Sequence, residues 1–187
     1  MMIYDNLEIV SESDNEVLSL SDVKNFLKVS GNKDDALISQ LIRSAIKKAE
    51  SFCSIAIINK TYSIVFPRID CNKAISFPIY KVSKVTKVYV KNSNNCDQKE
   101  LDSSNYCFDI DSQLLNIQNT MLYIDRIKVI FETTFNYSSS DFDDLKQALY
   151  MHINLLYKQR LASLDSKELD IDARIAGLYA SLRSFKL

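Results

Sequence analysis

Apolar residues recur at three- and four-residue steps between Asp34 and Cys53, and polar residues fill the gaps. This spacing is typical of an amphipathic α-helix with one buried stripe. No Gly or Pro interrupts it, and at 1.5 Å per residue the helix would be roughly 30 Å long. We predict that this is the central helix, against which the other parts of the chain pack. Its stripe consists of Ile38, Leu41, Ile42, Ala45, Ile46, Ala49, Phe52 and Cys53.

One further helix is predicted before this one in the chain, and another after it. Ser19 is a good N-cap for a short helix with an apolar edge at Val23, Phe26 and Leu27. Residues 141–160 show the same helical spacing, with aspartates at the start and Lys158 and Arg160 at the end, as the helix dipole favours.

Between the second and third helices the pattern changes to short alternating runs typical of β-strands. In the longest run, 81–91, Val82, Thr86, Val88 and Val90 share one face and Lys81, Ser83, Lys87 and Lys91 the other. Short, closely spaced runs favour an antiparallel sheet over βαβ units. The predicted strands are 61–66, ended by Pro67, then 74–77, 81–91, the hairpin 106–110 with 114–117, and 126–135.

These patterns predict an α+β fold, in which a small helical bundle carries a β-rich antiparallel insertion between its second and third main helices. We expect one compact unit over 19–160, with helices in 19–53 and 141–160 and the insertion in 61–136. Residues 1–18 are polar and acidic and are expected to form a flexible arm. Residues 161–187 end in a short amphipathic segment, which Gly177 weakens.

The composition of the chain limits the classes of function that it could have. The 187 residues carry a net charge of −1, which argues against a strongly basic nucleic-acid surface. No apolar run is long enough for a transmembrane helix, and the acidic N-terminus lacks the pattern of a secretory signal. Cys53, Cys71, Cys96 and Cys107 have neither CxxC spacing nor a nearby histidine, so we expect unpaired thiols in a reducing, cytosolic setting.

Residues that could support catalysis have simpler explanations. His152 is the single histidine and lies on the apolar stripe of the third helix, which favours core packing over metal binding. Asp109 and Asp111 could form the acidic pair of a metal-dependent nuclease, but hairpin-turn aspartates explain them more simply. Ser138–Ser140 have no paired base nearby and indicate a linker. We therefore predict no enzyme, no metal and no cofactor.

Lys81, Lys84, Lys87 and Lys91 form a basic ribbon, interleaved with Tyr80 and Tyr89. A solvated strand face explains it, and contact with a DNA backbone or an acidic partner is the alternative.

The order of the segments resembles the head-tail connector, or adaptor, proteins of long-tailed bacteriophages and gene transfer agents. The resemblance covers roughly residues 18–185 and departs from the family at 132–136, where the usual Gly-aromatic-Gly turn reads Glu-Thr-Thr-Phe-Asn. It rests on the opening Leu-Ser-Leu cap, Val23-Lys24, Leu27-Lys28, Asp34-Asp35 with Leu37-Ile38, Pro78 followed by Val82, Val85 and Val88, Tyr106 to Asp109, Leu145-Lys146-Gln147-Ala148 through Tyr157 and Arg160, and Leu178 to Arg183.

This resemblance implies a non-enzymatic virion protein from a phage or prophage, present in the host cytoplasm before assembly. Such proteins form a ring, usually of twelve copies, below the portal; they extend the DNA channel and receive the tail or its completion proteins. It also implies that the C-terminal segment docks on the portal through Ile175, Leu178, Leu182, Arg183 and Phe185, although a groove of the same chain explains the segment equally well. The lysine ribbon would then face the DNA channel.

Two other classes stay open from the residues alone. A terminase small subunit is a ring-forming packaging protein, but its first helix should be basic, and here that helix carries only Lys24 and Lys28. The metal-dependent nuclease would rest on Asp109 and Asp111.

Overall fold

The computed structural model describes residues 3–70, 73–79, 81–91, 98–118, 123–159 and 173–180, without the side chains of Tyr123 and Arg174. The chain divides into two compact units. A sheet unit contains residues 1–15 and 58–135, and a helical unit contains residues 16–57 and 136–187. The α+β class and the β-rich insertion between the second and third helices are confirmed. The prediction of a single compact unit is wrong, because the sheet and the helices each bury apolar side chains of their own.

The helical unit is organised around α2. In the described chain the helices are α1 (Leu20–Leu27), α2 (Asp35–Cys53), α3 (Ser140–Gln159) and α4 (Ala173–Ala180). Helix α2 contacts each of the other three, which confirms it as the central helix. Its buried residues are Ile38, Ile42, Ala45, Ile46, Ala49 and Cys53, whereas Leu41 and Phe52 of the predicted stripe are half-buried.

The helix ends follow local chemistry. The Ser19 hydroxyl accepts a hydrogen bond from the amide of Asp22 at 3.1 Å, which confirms it as the N-cap of α1. Lys28 ends that helix in the left-handed region, with φ 56°. The Tyr157 hydroxyl donates to Oδ2 of Asp34 at 2.5 Å, so the end of α3 is tied to the start of α2.

The described strands of the sheet unit form two antiparallel sheets. The larger has the strand order β1-β2-β8-β4-β5, and the smaller has the order β3-β7-β6. The strands are β1 (Asn6–Glu12), β2 (Lys60–Asp70), β3 (Ile75–Ser76), β4 (Val82–Lys91), β5 (Lys99–Glu100), β6 (Tyr106–Asp109), β7 (Leu114–Ile117) and β8 (Tyr123–Thr133). The predicted hairpin is confirmed as β6 and β7.

One face of the larger sheet supplies most of the core of this unit. Alternate residues of the central strands β2 and β8 are buried, as period-two patterning requires. Phe77, just after β3, joins the two sheets: its ring lies 4.7 Å from that of Phe131 on β8 and 5.8 Å from that of Phe108 on β6. The buried residues of this face are Tyr62, Ile64, Phe66, Ile127, Val129 and Phe131.

Strand β1 corrects the expectation of a flexible arm over residues 1–18. Asn6–Glu12 pairs with β2 along Lys60–Val65 and forms an edge of the larger sheet. Every residue of β1 except Leu7 is exposed. The strand is therefore held mainly by its backbone ladder, which leaves little hydrophobic signal in the sequence.

Pro67 does not end β2, contrary to prediction. The strand continues to Asp70, and Pro67 pairs with Arg126 of β8. The carbonyl of Val65, two residues earlier, is directed toward β1 and accepts a hydrogen bond from the Asp5 amide at 2.9 Å. The nitrogen of Pro67 is directed to that same side, beyond the last pair of β1, so no ladder hydrogen bond is lost.

Candidate functional site

The basic ribbon lies on β4, whose geometry differs from simple alternation. Two irregularities interrupt its pairing with β8, one between Val82 and Lys84 and one between Val85 and Lys87. Each inserts one extra residue and converts the period of two into a period of three. The buried positions are therefore Val82, Val85 and Val88. The prediction that Thr86 and Val90 share the face of Val82 and Val88 is wrong, since both are half-buried and Val85 is buried instead.

The extra residues of the two bulges, Ser83 and Thr86, use their hydroxyl groups to form hydrogen bonds with backbone carbonyls of β8. Ser83 Oγ donates to the carbonyl of Glu132 at 3.0 Å, and Thr86 Oγ1 donates to that of Ile130 at 3.0 Å. These bonds compensate for the interrupted ladder. The bulges thus serve to bring Lys84 and Lys87 to the exposed surface with a spacing of three residues.

The four lysines of the ribbon have different surroundings. Lys81 is half-buried, and its Nζ lies 4.9 Å from the centre of the Phe135 ring, a cation–π contact. Lys84, Lys87 and Lys91 are exposed. Nζ of Lys87 lies 3.7 Å from Oε2 of Glu100 on β5, and this carboxylate, helped by Tyr89, raises the pKa of Lys87 above its usual value. Tyr80 lies outside the described residues.

Strand β5 covers only part of the outer edge of β4. It pairs with Tyr89 and Val90. At the other end of this edge, the side-chain amide of Gln113 accepts a hydrogen bond from the Val82 amide at 2.7 Å and donates one to the Val82 carbonyl at 3.1 Å. Residues 83–87 of this edge lie between these two covers. Among the described strands, none pairs with residues 83–87 on this side; we call them the open segment, and it contains Lys84 and Lys87.

The opposite edge of the same sheet is an acidic surface, which was not predicted because residues 1–18 were expected to form a flexible arm. Asp5, Glu8 and Glu12 are exposed along β1. Residues 1–23 contain no Lys or Arg, which is the sequence signal that identifies this edge. Two ion pairs to the same sheet partly neutralise it, Glu12 with Lys60 at 3.9 Å and Asp5 with Arg126 at 3.7 Å.

The predicted docking segment is described only in part. Ile175 of α4 is buried and Leu178 is half-buried, and α4 contacts α2 and α3. Leu182, Arg183 and Phe185 lie outside the described residues, as do Cys71 and Cys96. For residues 173–180 the apolar face is therefore directed at helices of the same chain.

His152 and Tyr179 form a buried polar pair in the helical unit. Nδ1 of His152 lies 3.1 Å from the Tyr179 hydroxyl, and the two rings meet edge-on at 5.9 Å. The thiol of Cys53 donates to the Tyr179 carbonyl at 3.5 Å. His152 lies in the core, as its position on the apolar stripe predicted. Its partner Tyr179 was not predicted, because the two residues lie on different helices.

We expect the helical unit to lose stability as the pH falls from about 6.5 to about 4. Burial, with a smaller effect of Lys48, lowers the pKa of His152 from 6.5 to about 4. Between these values the unfolded chain binds a proton that the folded chain does not, so the free energy of unfolding decreases, by about 3 kcal/mol at most. Urea unfolding at pH 7 and pH 4.5 measures this effect. His152→Gln should reduce the difference, and an equal difference in this variant would contradict the assignment.

Asp109 is engaged within the β6–β7 turn. Its carboxylate accepts hydrogen bonds from the Ser112 hydroxyl at 2.7 Å and from the Asp111 amide at 3.0 Å. These hydrogen bonds lower the pKa of Asp109 below its usual value, and the bond from Ser112 has the largest effect. Within the described ranges, no three His, Cys, Asp or Glu side chains are grouped so that they could hold a metal ion. The local chemistry of Asp109 is therefore that of a turn residue.

A family model matches part of the chain. Residues 17–108 match the family described as phage gp6-like head-tail connector protein. This segment extends from the residues before α1 into β6. Among curated proteins, none matches the sequence. No helix in the described part of the chain is long and apolar enough to cross a membrane.

Three solved structures are similar in fold over nearly the whole chain. A chain in the neck of an empty gene transfer agent particle, computed with C6 symmetry, has a TM-score of 0.71 and 16% identity, over 98% of this chain and 97% of that one. A chain of the native gene transfer agent virion has a TM-score of 0.70 and 18% identity, over 97% and 96%. A chain in the neck of the native particle, computed with C12 symmetry, has a TM-score of 0.69 and 17% identity, over 98% and 97%.

Proposed function

We propose that this chain is a member of the phage gp6-like head-tail connector family and a structural protein of the virion, located at the junction of head and tail. The family match over residues 17–108 is the observation that carries the proposal. The likeness in fold to chains of gene transfer agent particles supports it over the remaining residues. The role is one of assembly, without catalysis.

We further propose that the chain acts as a ring of twelve copies around the DNA channel. The similar chains come from necks computed with C6 and with C12 symmetry, and twelve identical positions satisfy both, since C6 is a subgroup of C12. A ring with rotational symmetry has heterologous contacts, in which two different surfaces of each copy meet. One end of this ring would contact the portal, and the other would receive the tail or its completion protein.

The packaging alternative lacks support in the first helix. A terminase small subunit would need basic side chains on α1 available for DNA. Here Nζ of Lys24 lies 2.6 Å from Oδ1 of Asp35, and Lys28 occupies the C-cap. The ammonium group of Lys24 is therefore engaged within the helical unit, which leaves the exposed side chain of Lys28 as the one basic group of this helix region available for DNA.

The function is tested with the portal protein of the same phage or prophage. The purified chain should bind portal rings in a pull-down, and electron micrographs of the complex should show an added ring at one end. Loss of the protein during infection should give heads filled with DNA but without tails. Normal tailed particles in its absence would contradict the proposal.

For the C-terminus we propose that residues 181–187 dock on the portal, with Leu182 and Phe185 as apolar anchors and Arg183 at the rim. A chain truncated after Ala180 should keep its melting temperature, because Ile175 and Tyr179 remain in place. It should lose most of its portal binding in a pull-down. Full-strength binding by the truncated chain would exclude this segment as the docking element, while the location at the head–tail junction would be tested separately by particle composition.

A further inference from the structure

The two edges of the larger sheet carry opposite charges. Along β1, Asp5, Glu8 and Glu12 are acidic and no residue is Lys or Arg, whereas residues 81–91 at β4 contain four lysines and no Asp or Glu. The fold places β1 and β4 in the same sheet, with β2 and β8 between them. At about 4.8 Å per strand, three spacings separate them by roughly 14 Å. This exceeds the Debye length of about 8 Å at physiological salt, so the two edges neutralise each other little within one molecule.

The acidic edge also carries exposed apolar side chains, and among the described strands it has β2 as its one neighbour. Ile3, Ile9 and Val10 are 79%, 54% and 58% exposed. In the described part of the chain, the other exposed large apolar side chains are Phe26, at 40%, and Ile110, at 57%. Exposed apolar residues concentrated on one edge strand are typical of a protein contact. In the strand order, β1 pairs on one side only.

The basic edge has a different character. It is bulged at Ser83 and Thr86, and β1 is itself irregular between Ile9 and Ser11; such irregularities disfavour direct continuation of the backbone ladder from one edge to the other. Its open segment presents Lys84 and Lys87 instead. A partner for this edge would therefore be recognised by acidic side chains and not by strand addition.

We propose that the β1 edge of one copy packs against the open β4 edge of the next copy around the ring. The proposal rests on the proposed function, since a connector ring requires two different, complementary surfaces on each copy. Glu8, with the half-neutralised Asp5 and Glu12, faces Lys84 and Lys87 of the neighbour. Ile9 and Val10 supply the apolar part of the contact. This assigns to the lysine ribbon an acidic partner, a second copy of this chain, in place of DNA.

Two variants test this contact, and each reverses the charge of one edge while it leaves the other edge unchanged. One variant carries Glu8→Lys with Ser11→Lys, and the other carries Lys84→Glu with Lys87→Glu; all four positions are exposed. The first variant has two basic edges and the second two acidic edges. Each alone should associate about tenfold or more weakly than the parent in sedimentation experiments. An equimolar mixture should recover association, because the copies can alternate, and a ring with an even number of copies closes on strict alternation.

A matched control and three further outcomes complete the test. Lys33→Glu with Lys158→Glu makes the same change in charge at exposed positions outside the sheet and should associate like the parent. A mixture that stays dissociated, or a parent that does not associate, would overturn the edge contact. Unchanged association of the Lys84→Glu, Lys87→Glu variant, with loss of packaged DNA from particles, would assign these lysines to the channel. In each case portal binding still reports on the connector function independently.

Discussion

Ile42→Asp is expected to unfold the helical unit at room temperature. Ile42 lies in the middle of α2 and is 8% exposed, on the helix that contacts α1, α3 and α4. A carboxylate at this position would be buried without a partner, which costs several kcal/mol. Since small proteins are stable by only about 5–15 kcal/mol, this loss is comparable with the whole stability of the unit.

A matched substitution on the same helix separates burial from helix propensity. Gln40 is exposed, so Gln40→Asp adds the same residue without burying it. It should lower the melting temperature only slightly, because the propensities of Gln and Asp differ by less than about 1 kcal/mol. Circular dichroism during heating measures both variants. If Ile42→Asp melts with the parent, α2 cannot be the central helix of this unit.

The long helices were predictable because each contains its own signal. A stripe over nineteen residues, as in α2, repeats often enough to exclude a strand. The same spacing placed Ile175 on the apolar face of the C-terminal segment, but it could not decide whether this face packs on a partner or on the same chain, since both would bury the same side chains. The structure shows Ile175 buried where α4 contacts α2 and α3.

The sheet was less predictable at its edges, for two physical reasons. Strand β1 buries almost nothing, and its pairing with β2 depends on backbone groups that every sequence has. On β4, each bulge adds one residue, so a pattern read with period two fails after Val82. The spacing of Val82, Val85 and Val88 did contain that information, although only as a period of three that no regular strand has.

Tyr179→Ala is expected to be the second most damaging substitution, and it tests whether α4 is part of the helical core. Tyr179 is fully buried, 6.1 Å from the ring of Phe52 and hydrogen-bonded to His152. Removing a large buried ring typically costs about 3–5 kcal/mol through lost burial and the cavity that remains. Deleting residues 171–187 removes Tyr179 together with Ile175 and should destabilise the protein at least as strongly.

Tyr179→Phe divides this effect into its two parts. It keeps the ring but removes the hydroxyl 3.1 Å from Nδ1 of His152, so it should cost only about 1–2 kcal/mol. Chemical denaturation followed by circular dichroism should therefore order the midpoints as parent, then Tyr179→Phe, then Tyr179→Ala. Equal midpoints for the parent and Tyr179→Ala would mean that α4 contributes nothing to the folded unit. The docking role would then extend to the whole segment from residue 173, because Ile175 and Leu178 would be available to a partner.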